Sequence, residues 1–136
     1  MNPELFEQGL AVRRQVLGDA YVDAALARAN DFNQPLQEMV TEFAWGTVWT
    51  NDDLPLRTRS LINIGLLCAL NRPHELQIHL RGALNNGCTM EEIRAVLLQV
   101  GAYCGLPAAV DGFRVATAVL QEQGVLPGAP PVPTVA

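Results

Sequence analysis

The stretch Leu61-Ile62-Asn63-Ile64-Gly65-Leu66-Leu67-Cys68-Ala69-Leu70 decides the fold. Asn63 is its only strongly polar residue, and no alternation of apolar and polar positions runs through it. A helix apolar on nearly every side is buried all round. In so short a chain, that predicts a second subunit covering it as well as its own. Asn71-Arg72-Pro73 breaks the run. Directly after it, His74-Glu75-Leu76-Gln77-Ile78-His79-Leu80-Arg81 places both histidines, an acid and an arginine on the first turns of a new helix. Titratable groups beside a buried segment cost stability unless they are paired or used.

Working outward, the pattern predicts about seven helices and an all-α fold. Asn2-Pro3-Glu4 reads as a cap, a proline at the first helical position and a first-turn acid, with a stop at Gly18. Asp19 is expected to cap a second helix. A third starts at Asn33-Gln34-Pro35, carries Leu36, Met39, Val40, Phe43 and Thr47 as its stripe, and ends near Trp49. Pro55 opens the fourth and Pro73 the fifth, which stops at Gly87. Thr89-Met90-Glu91-Glu92 is a capping box opening a sixth, with Ile93, Val96, Leu97, Val100 and Cys104 on its stripe. Gly105-Leu106-Pro107 ends it, and a seventh covers about 108–123. Residues 1–124 read as one helical domain, and the Pro/Gly/Ala-rich stretch 125–136 as an extended or disordered tail.

Composition excludes several function classes. With 136 residues there is room for one domain with a real core. The formal charge of −5 opposes nucleic acid or an anionic membrane as the main partner. All nine basic residues are arginine, so Schiff-base chemistry on lysine is excluded, and with it the usual pyridoxal-phosphate reactions. Arginine instead clamps carboxylates with a planar fork. Cys68, Cys88 and Cys104 match no CxxC motif and no zinc spacing. An odd cysteine count with no export signal points to reduced thiols and a cytoplasmic location. No apolar run is long enough to span a bilayer.

Several constellations are candidates for chemistry. Glu75 and His79 lie four apart, so the carboxylate can orient the imidazole and raise its pKa, making a general acid near neutrality. The competing reading is a surface pair on an amphipathic helix. His74 lies about 140° away around the helix, so the two histidines cannot share a metal as an i, i+4 pair does. No metal site is expected. Arg57, Arg59 and Arg81 flank the central helices as carboxylate clamps or as ordinary solvated cations. Trp45 and Trp49 put two indoles on one face, as core, interface or binding wall. Cys104 sits on an apolar stripe beside Tyr103, which favours an inert core thiol.

Together these pieces resemble the 4-carboxymuconolactone decarboxylases, within the wider carboxymuconolactone decarboxylase and alkyl hydroperoxidase D superfamily. The resemblance runs from Gly9-Leu10-Ala11-Val12-Arg13-Arg14-Gln15-Val16-Leu17-Gly18 to Gly124. It includes Asn30-Asp31-Phe32-Asn33, Ala44-Trp45-Gly46, Thr58-Arg59-Ser60-Leu61, Glu75 through Arg81, Asn85-Asn86-Gly87 and Tyr103-Cys104-Gly105-Leu106-Pro107-Ala108-Ala109. It implies an obligate helical oligomer, typically a hexamer. The redox branch carries a CxxC before the equivalent histidine and a relay glutamate. Those positions here are Arg72, Glu75 and Ser60, which argues against peroxidase activity. One departure stands out: Asn51-Asp52-Asp53 follows Trp49-Thr50 where the family reads Arg-Pro-Gly.

The reaction implied is removal of carbon dioxide from 4-carboxymuconolactone to give 3-oxoadipate enol-lactone, in the protocatechuate branch of the beta-ketoadipate pathway. It needs no cofactor, because electrons from the broken bond flow into the substrate's own conjugated lactone carbonyl. The roles implied are His79 as proton donor or oxyanion partner and Glu75 as its orienting carboxylate. Arg59 and Arg81 would be clamps, and Trp45, Tyr103 and Cys104 a less polar wall. The alternatives are a decarboxylase or isomerase of a related lactone, and a non-catalytic oligomeric binder of a small organic acid.

Overall fold

The computed structural model describes residues 1–128 and contains no strand among them. The seven α-helices are α1 (Pro3–Leu17), α2 (Asp19–Ala27), α3 (Gln34–Met39), α4 (Leu56–Ala69), α5 (Pro73–Asn85), α6 (Met90–Cys104) and α7 (Leu106–Glu122). A π-helical segment, Val40–Trp49, continues directly from α3.

Local chemistry sets most boundaries. Asn2 accepts from the Leu5 amide ahead of Pro3. The capping box forms as expected: the Thr89 side chain accepts from the Glu92 amide, and the Glu92 carboxylate accepts from the Thr89 amide. Gly18, Gly87 and Gly105 close helices at positive φ of 89°, 85° and 104°, where a side chain would be strained. Two expectations shift. Gly18, not Asp19, precedes α2, and Asp19 sits in its first turn paired with Arg14. Only Gly105 separates α6 from α7, because Pro107 has no amide proton to lose at a helix start.

Helices α4 to α7 enclose the main core. Ile64, Leu76, Leu80, Ile93 and Leu97 are all essentially inaccessible, each contributing about 1.5–3 kcal/mol of transfer free energy. A second, smaller core of Val16, Trp45 and Trp49 lies between α1 and the π-helical segment. Here α1 crosses very closely. A Cβ on Gly9 would run into the Thr41 carbonyl and lie 2.6 Å from the Gly46 nitrogen; one on Gly46 would lie 2.6 Å from the Leu5 carbonyl.

The stripe expected on the third helix is overturned. Leu36, Met39 and Phe43 face outward, and Thr41, Trp45, Gly46 and Trp49 are buried instead. Leu36 and Met39 already face outward on α3, and the wider i to i+5 turns alter the register only beyond Met39. Ser60, Ile64 and Cys68 are buried within the chain, but Ile62, Leu66 and Leu70 remain 44–62 % exposed. At the other end, Leu126 packs on the core and its amide bonds to the Leu120 carbonyl, so the tail begins later than Val125. Residues 129–136 lie outside the described part. Among the described residues no helix is long and apolar enough to cross a membrane.

Candidate active site

His79 lies on α5, one residue before the fully buried Leu80. Its ring stacks beside both indoles of the π-helical segment, with centroids 6.1 Å from Trp45 and 6.0 Å from Trp49 and interplanar angles of 8° and 23°. The two indoles stack on each other at 4.7 Å. Thus Trp45 and Trp49, both buried on the π-helical segment, form the wall against which the imidazole lies.

The expected partner of His79 is not the observed one. No hydrogen bond joins Glu75 to His79 among the described residues; the Asn63 amide nitrogen stands 3.4 Å from His79 Nδ1 instead. Glu75 is exposed and acts on the ring only through its charge. Burial dominates and pushes the imidazole down from 6.5 to about 4, with Glu75 opposing it. The expectation of an imidazole raised toward a general acid is therefore overturned: near neutrality the ring is uncharged, because desolvation of the imidazolium outweighs one solvated carboxylate. Asn63 was visible in the sequence as the polar exception in Leu61–Leu70, but its partner was not.

The arginines separate into two kinds. Arg57 pairs with Glu92, and Arg81 with Glu122 at 2.9 Å, so Arg81 is engaged away from His79. Arg59 has no carboxylate within ion-pair distance among the described residues. Its Nη2 donates to the Asn51 carbonyl at 3.0 Å and to Asn51 Oδ1 at 3.2 Å, and its buried Nε has no partner. It lies one turn before Asn63 on the same face of α4. The loop that departs from the family pattern thus supplies Arg59 with neutral acceptors. Arg13, which the sequence did not single out beside Arg14, is a buried cation that likewise has no carboxylate within ion-pair distance among the described residues. It is 5 % exposed and donates at 3.2 Å each to Gln37 Oε1 and Thr41 Oγ1. Burial pulls its pKa below the ordinary arginine value.

Tyr103 and Cys104 lie elsewhere. Both are exposed, so the expected inert core thiol is corrected: the last turn of α6 emerges from the core after Gly101. With Thr58, Ile62, Gly65 and Val96 they line an open groove of about 350 Å³ that contains neither His79, Arg59 nor Trp45. No three His, Cys, Asp or Glu side chains among the described residues converge to hold a metal ion.

A neutral imidazole on an indole wall, with an unpaired guanidinium one turn from its partner, can bind a small organic anion and hydrogen-bond to charge that develops on it. The comparisons agree with that class. Residues 34–118 match the model of the carboxymuconolactone decarboxylase family. A 4-carboxymuconolactone decarboxylase of Acinetobacter baylyi is 44 % identical over 93 % of this chain and 96 % of its own length. A nitrosuccinic acid decarboxylase of Metarhizium robertsii is 41 % identical over 90 % of this chain and 85 % of its own. A Pseudomonas putida 4-carboxymuconolactone decarboxylase is 54 % identical over 30 % of this chain. The chain belongs to the carboxymuconolactone decarboxylase family.

Proposed function

We propose that this chain is a cofactor-free carboxy-lyase that converts 4-carboxymuconolactone to 3-oxoadipate enol-lactone. The observation that carries the reading is Arg59, a guanidinium with a buried, unpartnered Nε and no carboxylate within ion-pair distance among the described residues, on the same helix face as Asn63, which contacts the uncharged His79. The 44 % identity to the Acinetobacter baylyi decarboxylase supports the substrate.

In this reading Arg59 holds the acetate side chain of the dianionic lactone. The departing carboxylate rests against the indoles of Trp45 and Trp49, where low polarity favours loss of its charge. The carbon–carbon bond breaks, carbon dioxide leaves, and the electron pair enters the ring double bond and then the lactone carbonyl. His79, uncharged near pH 7, serves as hydrogen-bond donor to that oxyanion. A proton from solvent water adds to the ring carbon next to the carbonyl, leaving hydroxide that bulk buffer neutralises, and completes the product. A ring titrating near 4 holds no spare proton at pH 7, which favours the oxyanion role over the proton-donor role. Glu75 contributes charge alone, and Arg81, Tyr103 and Cys104 stand outside this arrangement within one chain.

The exposed row Ile62, Leu66 and Leu70 supports a homo-oligomer, with the hexamer typical of the family as the expected form. A cytoplasmic location fits the reduced thiols. A second reading is a nitro-substituted dicarboxylate, favoured by the Metarhizium robertsii relative. There the nitro group would take the electron pair in place of the lactone carbonyl, using the same two protein groups. Ultraviolet monitoring of each compound with purified protein tests both. Loss of the lactone absorbance supports the first reading. Lactone that stays intact while still binding by calorimetry would leave a non-catalytic binder.

A further inference from the structure

We propose that Asn63 is the positioning residue of His79: its side-chain amide donates to Nδ1 and so holds the ring in the tautomer that carries its proton on Nε2.

The case begins with cost. Asn63 is the one strongly polar side chain between Leu61 and Leu70, on a helix whose neighbouring Ile64 is fully buried. A half-buried amide without a partner costs about 1–3 kcal/mol, so an apolar residue would serve packing better there. Its partner is His79 Nδ1 at 3.4 Å. With the amide nitrogen facing the ring, as it does here, the –NH2 donates, Nδ1 accepts, and the ring's single proton lies on Nε2.

The indoles make this bond decisive. Trp45 and Trp49 lie nearly parallel to the imidazole and fix its plane. What remains free is a half-turn about the Cβ–Cγ bond, which keeps that plane and puts Cδ2 in place of Nδ1 on the side facing Asn63. Asn63 distinguishes those two states and Trp45 and Trp49 do not. Because burial keeps the ring neutral near pH 7, only one nitrogen carries a proton, and the choice of tautomer sets whether the free nitrogen donates or accepts. Glu75, exposed and not hydrogen-bonded to the ring, would favour the opposite tautomer if it bonded at Nδ1.

The consequence for catalysis rests on the oxyanion reading above; the tautomer itself does not. The test uses full-length protein with ¹⁵N-labelled histidine. The chain has only two histidines, so His74→Gln assigns the signals. We expect a pyridine-like Nδ1 and a pyrrole-like Nε2 for His79 at pH 7, without substrate. Asn63→Asp, an isosteric acceptor, should reverse the pattern and shift the ring's titration upward. It should also lower kcat on the lactone by about 100-fold with little change in KM, because the ring then presents an acceptor to the oxyanion. Asn63→Leu suits the apolar run and should fold, lose the tautomer preference and lose about tenfold in kcat. A pyrrole-like Nδ1 in the unsubstituted protein overturns the proposal. An unchanged kcat in both variants, when the unsubstituted protein turns the lactone over, overturns the catalytic consequence of the tautomer. If that protein is inactive on the lactone, the oxyanion reading fails, while the nitrogen shifts still decide the role of Asn63.

Discussion

The two flanks of α4 make opposite use of their residues. Toward α5 and the π-helical segment, Arg59 and Asn63 meet Asn51, His79 and the paired indoles. The polar groups there are bonded to neutral partners, and a guanidinium nitrogen is left over. Toward α6, Ile62 and Gly65 share an open apolar groove with Tyr103 and Cys104 and no charged side chain. The first flank keeps a cation without an acid, which costs stability unless a ligand brings the counter-charge. The second exposes apolar surface, which is cheap for a covered face and poor for holding a dianion. Reading both as one wall, as the sequence invited, merges two regions that a single chain keeps apart.

The largest expected effect lies on the first flank. His79→Ala should reduce turnover of the lactone by about 10³-fold while circular dichroism shows the helices intact. Near-normal turnover would break the comparison outright.

Next comes acid stability. The folded His79 titrates near 4, against 6.5 for an ordinary histidine. Between these values the unfolded chain binds a proton that the folded chain does not, so this contribution rises with pH across that window and is lost as pH falls through it. The loss amounts to about 3 kcal/mol between pH 7 and pH 4. Urea midpoints should show a shallower acid decline for His79→Gln, by roughly that amount; parallel declines would mean the ring is not desolvated.

A third test separates the arginines. Arg59→Met should raise KM about 30-fold, about 2 kcal/mol of lost charge-assisted binding. Arg81→Met breaks a half-exposed pair with Glu122 and should leave KM unchanged, with less than about 1 kcal/mol of stability lost. Equal effects would return Arg81 to the site. The smallest effect is expected on the second flank: Cys104→Ser should leave kcat/KM within about twofold, and a large loss would join the groove to the chemistry.

These contrasts were legible in the sequence to differing degrees. His79 stood out because titratable residues follow a buried run, and Arg59 because it precedes one. The role given to Glu75 came from i, i+4 spacing alone. That spacing says two side chains share a face and says nothing of whether a third group, here Asn63 on another helix, lies nearer. Arg13 was invisible, since Arg13 and Arg14 differ only in which way the helix turns them.

The sequence by itself determined the all-helical class and most helix ends. Caps, glycines, prolines and 3.6-residue periodicity act within a turn or two and need no distant partner. Only the tertiary structure decided the π winding after Met39, the inward turn of Trp45 and Trp49, the neutral state of His79 and its bond to Asn63. Each depends on what lies against the segment: the α1 backbone at Gly9 and Gly46, or enough surrounding protein to strip water from an imidazole. Such contacts join residues sixteen to forty-one positions apart, beyond the reach of any local pattern.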